Sequence, residues 1–470
     1  MVLQNPSFSK AESEDIAAGR FLFISSQASD EANGQITRRL ARSHAVKQAL
    51  ERKRRLQEKS KDNFRITTTK DKPKRFVRTK RDTETPAVSL FSLSAGALDP
   101  FQTLAADSSR LRILLSNDKV KRAPEPVFST AEQLSFQSFH SVFQTGLVDP
   151  ALLNAVMLSF AFEIAGGYMD RECLLYQGQA IGYLREKMNS PDEAASEPTI
   201  GTILLLAGVE ARLGMKSQAQ LHLGAVQRLL EISQTKLVDL TGGIKRAIFW
   251  QDLNSSVLIG SRRIVDHETF VELHWTRDLL PSNFFRLSPG FKKRCHIFTK
   301  EFIEVLEDIY ALQCIRETAS VIVSMAQINN QTASIQSRLR GLSTISPILE
   351  CCHLAAYLCT VMLCCTVWCA LVIPPHVSSQ LLHKLQQTNN DIIWDNHPEL
   401  LLWILYIGGA FAPAGIVRSS YTILLRSNNA TRFQNLYRSW PELLEILEQF
   451  NWSEKSFLPH VKIFWEEIFT

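Results

Sequence analysis

Beyond its midpoint the chain reads Phe302-Ile303-Glu304-Val305-Leu306-Glu307-Asp308-Ile309-Tyr310-Ala311-Leu312. Its apolar residues at positions 302, 306, 309 and 312 are separated by three or four residues, which places them on one face of an α-helix. The same spacing recurs at Ala219, Leu223, Val226 and Leu230, and strict alternation of apolar and polar residues is almost absent. We therefore predict an all-α body over residues 130–470, with roughly ten or more helices.

The composition is that of a globular protein with a sizeable core. Of 470 residues, 45% are apolar and 21% are charged, which excludes a wholly disordered, collagenous or disulfide-stapled small protein. The sequence has nine cysteines, none before Cys173, and six of them lie within 351–369. An odd count and apolar surroundings favour a reducing compartment, and the polar first thirty residues predict no secretory signal.

Changes in composition divide the chain into four regions. Residues 1–35 are polar and acidic, and we expect a disordered tail. Residues 36–82 form a basic segment whose first half is rich in helix formers and whose second half is broken by Pro73. Residues 83–129 are rich in Ser, Pro and Asp and predict a linker with one short helix near 110–115. The helical body follows.

Charge is concentrated in the basic segment. Residues 38–81 contain 18 Lys and Arg against 4 acidic residues, a net charge of +14. The whole chain carries +5, so the remainder carries −9. A basic segment on an otherwise acidic protein favours a polyanionic partner or an import receptor.

The basic segment supplies the candidate site residues. We expect contact with nucleic acid or with a nuclear import receptor, and the residues that we assign to it are Arg38, Arg39, Arg42, Arg52, Lys53, Arg54, Arg55, Lys72, Lys74 and Arg75. Heptad leucines do not continue after Leu50 and Leu56, which excludes a basic leucine zipper. Direct DNA contact and nuclear import alone remain two open interpretations.

Motifs of catalysis and metal binding are absent. The sequence has no phosphate-binding loop with lysine, no nucleophile elbow, no zinc-protease helix motif and no paired C-x-x-C. His222 and Asp252 are isolated, so we interpret them as a packed histidine and a cap or salt-bridge partner. The clustered cysteines lie on one apolar stretch, which is typical of small buried side chains. We predict no enzyme, no catalytic residue, no metal and no cofactor.

Two uncharged runs raise the alternative of a membrane protein. Residues 354–373 and 400–417 are each long enough to span a bilayer. The first run contains several Cys and Thr, the second contains Gly408, Gly409 and Pro413, and the loop between them has no basic excess. We therefore expect helices buried in the protein core, without a membrane partner.

Several segments together resemble one family. They are Arg212-Leu213-Gly214, Ala219-x-x-His222-Leu223-Gly224-Ala225, Gly242-Gly243, Ile248-Phe249-Trp250-Gln251-Asp252-Leu253, the run at 400–410, and Phe450-Asn451-Trp452-Ser453-Glu454-Lys455. In their order they resemble the fungal-specific transcription-factor regulatory (middle homology) domain. Arg38-Arg39-Leu40-x-Arg42-Ser43-His44-Ala45 and Asp99-Pro100-Phe101 resemble elements of a subgroup of that family.

The resemblance implies a nuclear regulator of transcription with an all-α regulatory body. The family's zinc binuclear cluster needs six closely spaced cysteines, and no cysteine precedes Cys173, so we place the chain in a subgroup that lacks this cluster. The expected partners are DNA through residues 38–81, an import receptor and transcriptional partner proteins. The alternative is a helical protein–protein interaction scaffold that does not bind DNA.

Overall fold

The computed structural model describes residues 107–121, 148–235, 240–318, 323–343, 346–363 and 372–469, and these residues contain helices and no β-strand. The predicted all-α body is therefore confirmed. The N-terminal tail, the basic segment and most of the linker lie outside the described residues. The helices are α1 (Ser108–Ser116), α2 (Asp118–Lys121), α3 (Pro150–Ile164), α4 (Arg171–Lys187), α5 (Pro191–Ala194), α6 (Glu197–Arg212), α7 (Lys216–Thr235), α8 (Gly242–Ile259), α9 (Pro289–Lys292), α10 (Lys300–Glu317), α11 (Met325–Gly341), α12 (Pro347–Leu363), α13 (Ile373–Thr388), α14 (Ile393–Asn396), α15 (Pro398–Ala410), α16 (Ile416–Thr431), α17 (Trp440–Leu447) and α18 (Leu458–Phe469).

A first hydrophobic cluster forms around α3 and α6. Asp149 begins α3 by accepting a hydrogen bond from the backbone N–H of Leu152 at 3.0 Å, and Pro150 occupies the first turn. Residues 151–162 of α3 and 199–211 of α6 are all buried, and the two helices pack against each other. Since both are buried on every side over these residues, they form the centre of this half, and α4, α7 and α8 surround them.

The predicted short helix of the linker is present as α1. Leu111 and Leu114 are fully buried, and α1 packs against α3. Its N-terminus is capped by Asp107, whose carboxylate accepts the backbone N–H of Ser109 at 2.9 Å. The hydrophobic core of the body therefore includes Leu111, Leu114 and Val120, from a segment that the composition of the sequence assigns to the linker.

A second cluster forms around α15. Every residue of this helix from 400 to 410 is buried, and α12, α13, α16, α17 and α18 pack around it. The apolar face formed by positions 302, 306, 309 and 312 lies on α10, where all four side chains are fully buried against α12 and its neighbours. Helix α8 joins the two clusters, because it contacts α6 on one side and α13 on the other.

Two glycines allow the closest helix contacts of the second cluster. A Cβ atom added at Gly408 would overlap the phenol ring of Tyr421 on α16, and one at Gly409 would overlap the ring of Phe464 on α18. Both aromatic side chains are fully buried, so neither ring has free space to move into. The glycine pair therefore serves helix packing within the core.

The structure describes one of the two apolar runs in full and the other only in part. The run at 400–417 begins inside α15, which is 13 residues long and encased by other helices. The run at 354–373 begins in α12 and extends into 364–371, which lie outside the described residues. Among the helices that the structure describes, none is both long enough and apolar enough to cross a bilayer.

Burial makes the thiols of α12 poor nucleophiles. It raises the pKa of Cys351 to about 12 and raises the pKa of Cys352 and of Cys359 as well. At pH 8 we expect these three side chains to resist iodoacetamide in the native protein and to react together after denaturation. Exposed Cys295 is the internal control and should be alkylated at once. Peptide-level mass spectrometry measures both rates, and rapid native modification of Cys351 would contradict this packing.

Candidate functional site

The predicted contact residues for DNA or an import receptor, from Arg38 to Arg75, all lie outside the described residues. Among the polar groups that the structure does describe in the body, several form buried ion pairs and others line two open cavities. Each is built from helices whose packing is set by the two hydrophobic clusters.

His222 lies next to a buried acid. It lies on α7, and its Nε2 is 3.3 Å from Oε1 of Glu210 on the adjacent helix α6. The glutamate side chain is only 6% exposed. Its contact with a histidine from the neighbouring helix provides a polar partner in an apolar interface, which is a structural role.

Asp252 is a structural carboxylate that holds the chain after α8. Its side chain is fully buried, and Oδ2 accepts a hydrogen bond from Nε of Arg263 at 2.6 Å. Oδ1 also accepts the backbone N–H of Ile264 at 3.1 Å. Burial raises the pKa of this carboxyl group, while Arg263 opposes the shift. These bonds match the interpretation of Asp252 as a salt-bridge partner.

A second buried network surrounds Arg246 on α8. Its Nη1 donates to the side-chain oxygens of Asn329 and Asn330 at 2.8 and 2.6 Å, and its Nη2 donates to the carbonyl of Glu272. Burial lowers the pKa of Arg246 to about 10, so it remains cationic at neutral pH. The network ties α8 to α11 and to the turn at Val271–Leu273.

Metal binding finds no support in the described part of the chain. Among these residues, no group of three or more His, Cys, Asp and Glu side chains is arranged to hold a metal ion. Cys351, Cys352 and Cys359 are buried as free thiols on one helix. The remaining members of the cysteine group, at 364, 365 and 369, lie outside the described residues.

A groove of about 660 Å³ lies between α16 and α18. Ile423 and Ile463 line it with side chains that are 66% and 54% exposed. Nε of Arg418 lies 2.6 Å from Oε2 of Glu467, and Nη2 of Arg426 donates to the carbonyl of Ile468 at 2.7 Å. Aliphatic side chains flanked by guanidinium groups suit a peptide segment that is both apolar and acidic.

A smaller cavity of about 300 Å³ lies where the ends of α8 and α11 meet α12 and α13. Glu350, His353, Leu354 and Tyr357 line it from α12 at the spacing of one helix face. Lys384 of α13 lies opposite, with Nζ 2.8 Å from Oε2 of Glu350. Glu350 lies near the start of α12 and Lys384 near the end of α13, so their ion pair is consistent with an antiparallel arrangement of the two helices along the cavity.

The extent of one family-model match decides the family to which this chain belongs. A model of the fungal specific transcription factor domain matches residues 127–468, which is most of the chain. The chain belongs to the fungal specific transcription factor domain family. Comparisons with curated proteins and with solved structures gave no match. The resemblance identified from the sequence is thereby confirmed, and the matched domain belongs to a family of transcription regulators, not to an enzyme family.

The segments that suggested the fungal specific transcription factor domain have structural roles in it. Residues 248–253 and 400–410 are buried in the two clusters. Asn451 accepts a hydrogen bond from the hydroxyl of Ser288 at 3.0 Å, and its carbonyl accepts Nε1 of Trp403 at 3.3 Å. Gly214 ends α6 with a φ of 74°, a conformation that favours glycine. These segments therefore contribute to the packing of the domain.

The residues that line the two open cavities were not recognisable as sites from the sequence alone. Arg418, Thr422 and Arg426 recur every four residues on α16, and this spacing was a usable signal for one polar face. His353 gave no such signal, since its neighbours in sequence are cysteines and leucine. Its position in a cavity wall depends on α13, which lies further along the chain.

Proposed function

We propose that this protein is a nuclear regulator of transcription that acts through its helical body, with the basic segment serving nuclear import and direct DNA contact. The observation that carries the proposal is the combination, in one chain, of the family domain at 127–468 with a segment of net charge +14 at 38–81. A charge of that density binds phosphate by releasing counterions, and short clusters of this kind are read by import receptors.

Removing charge from the basic segment should move the protein from the nucleus to the cytoplasm. The variant replaces seven residues with glutamine: Arg52, Lys53, Arg54, Arg55, Lys72, Lys74 and Arg75. Fluorescence microscopy of the tagged full-length protein measures the distribution. For duplex DNA, electrophoretic mobility shifts should show wild-type affinity falling steeply with salt, because each neutralised phosphate releases counterions.

A matched control separates the segment from overall charge. Seven exposed cations of the body are replaced with glutamine instead, and they are Arg171, Arg185, Lys216, Arg228, Lys292, Lys293 and Lys462. This variant has the same change in net charge and should remain nuclear. Equal loss of nuclear signal in both variants, or in neither, would contradict the proposed role of the basic segment.

A second candidate function is a helical interaction scaffold that enters the nucleus without touching DNA. Two observations favour it. Residues before Cys173 contain no cysteine to form the family's zinc cluster, and the groove between α16 and α18 is open to a peptide partner. Chromatin occupancy of the full-length protein, with and without residues 38–81, distinguishes the two. An added nuclear import signal keeps the protein without residues 38–81 in the nucleus. A regulator that binds DNA through this segment then loses its chromatin occupancy, whereas a scaffold retains it.

A further inference from the structure

Helices α16 and α18 form the two walls of an open groove. Both helices pack against α15 but touch each other only sparsely, so an open channel remains between them. On α16 the lining runs from Gly415 to Arg426, which is about 16 Å of helix, or about three turns. The groove is therefore long enough to receive three turns of a further helix.

The middle of this groove is apolar and open to solvent. Ile423 on α16 and Ile463 on α18 line it, and their side chains are 66% and 54% exposed. Small residues line the groove where α16 begins, namely Ala410, Ala414 and Gly415. A Cβ atom added at Gly415 would meet no atom from another part of the chain within 4 Å. A bulky apolar side chain therefore has room here, beside aliphatic surface that is already exposed.

The other end of the groove carries a positive charge that no carboxylate balances. Arg426 marks the end at which α18 terminates, since its Nη2 donates to the carbonyl of Ile468 at 2.7 Å. Among the described residues this carbonyl is its hydrogen-bond partner, and the end of a helix offsets only part of a full charge. The charge of Arg418 is balanced by Glu467. His460 is neutral at physiological pH, because burial and nearby Arg418 lower its pKa.

We propose that this groove binds one amphipathic helix of a partner protein. The bound helix is about three turns long, carries apolar residues at i, i+4 and i+7, and places an acidic residue beside Arg426. Its apolar face covers Ile423 and Ile463, and its carboxylate balances the guanidinium charge. An extended peptide fits less well, because the described part of the body has no strand whose edge could pair with it. This binding rests on the scaffold role given above as the second candidate function.

Peptide binding to the full-length protein, followed by fluorescence anisotropy, tests the proposal. The probe is a fluorescein-labelled synthetic peptide with leucine at i, i+4 and i+7, aspartate at both ends, and alanine and glutamine elsewhere. A scrambled peptide of the same composition lacks the apolar face but keeps the charge, so it reports any attraction to the basic segment at 38–81. The amphipathic peptide should bind about tenfold more tightly than the scrambled one. Equal affinity for the two peptides would overturn the proposal.

Two substitutions locate the peptide in the groove. Ile423→Glu should weaken binding of the amphipathic peptide about tenfold. Ile392→Glu, at a 75% exposed position just before α14, is the matched control and should leave binding unchanged. Arg426→Glu should shift the preference about tenfold towards the same peptide with lysine in place of aspartate, because the charge at this end is reversed. Circular dichroism shows that each variant is folded, and unchanged affinity in Ile423→Glu or unchanged preference in Arg426→Glu would contradict the assigned groove.

A second copy of this chain is the competing occupant. Analytical ultracentrifugation over a range of concentrations detects it as a dimer. Dimerisation that Ile423→Glu abolishes, in a protein that does not bind the peptide, would assign the groove to a second copy and overturn the proposal. Chromatin occupancy with and without residues 38–81 does not depend on this groove, so the scaffold role and the peptide site fail in different experiments.

Discussion

Replacing Gly409 with valine should destabilise the body by roughly 3 kcal/mol or more, because the new side chain overfills a closed core. A Cβ atom at this position would overlap the ring of Phe464, and that ring is already enclosed by Tyr406, at 5.9 Å between ring centres, and by the Arg418 guanidinium at 5.1 Å. Helix α18 would have to move away from α15 to relieve the overlap. The shift of the urea unfolding midpoint, followed by far-UV circular dichroism, measures the loss.

Gly178→Val is the matched control for this substitution. Gly178 also lies inside a helix, α4, but a Cβ atom there would meet no atom from another part of the chain within 4 Å. Its replacement should change the free energy of unfolding by less than about 1 kcal/mol, since valine and glycine differ little in helix propensity. Equal stability of the two variants would show that α15 and α18 are not in close contact.

Replacing Asp308 with alanine should lower the free energy of unfolding by about 3 kcal/mol. The Asp308 side chain is 1% exposed, and Nε of Arg277 lies 2.8 Å from its Oδ1, an ion pair without hydrogen-bond alignment. Arg338 pairs with Oδ2. Removal leaves two guanidinium groups without their shared anion. The loss falls at the lower end for a buried pair, because both arginines retain access to solvent.

Glu304→Ala on the same helix is the control for Asp308→Ala. Glu304 is 47% exposed and lies 3.9 Å from Lys300, so its loss should cost less than about 1 kcal/mol. Denaturant unfolding of both variants under the same conditions gives the comparison. A loss at Asp308 no larger than at Glu304 would show that the ion pairs from the turn at Arg277–Leu279 and from α11 do not stabilise α10.

The helical periodicity of the sequence was sufficient to predict the class of the fold. The apolar face of α10 at 302, 306, 309 and 312 is fully buried, as is that of α7 at 219, 223 and 226. The prediction succeeded because helix spacing is a local property of the sequence, and an apolar helix face is buried whichever element packs against it. The family resemblance led to an expectation about function, which the periodicity alone could not supply. The match over residues 127–468 confirmed the family.

The candidate sites were not equally recognisable from the sequence. The basic segment was recognisable from composition alone, since a charge density of this size needs no partner in the fold to be noticed. The cavity with His353 was not recognisable, because its walls come from four helices that are distant in sequence. The apolar composition of α12 indicated burial but gave no position for the helices that enclose it.

The sequence by itself determined that the described part of residues 130–470 builds helices with buried apolar faces, that positive charge is gathered at 38–81, and that the chain resembles one family of regulators. Only the tertiary structure decided that residues 107–121 include part of the core, that Gly408 and Gly409 serve close packing, and that Asp308 meets two arginines. The reason is physical. Periodicity and charge density are read along the chain, whereas close contact and the pairing of buried charges depend on side chains that only folding brings together.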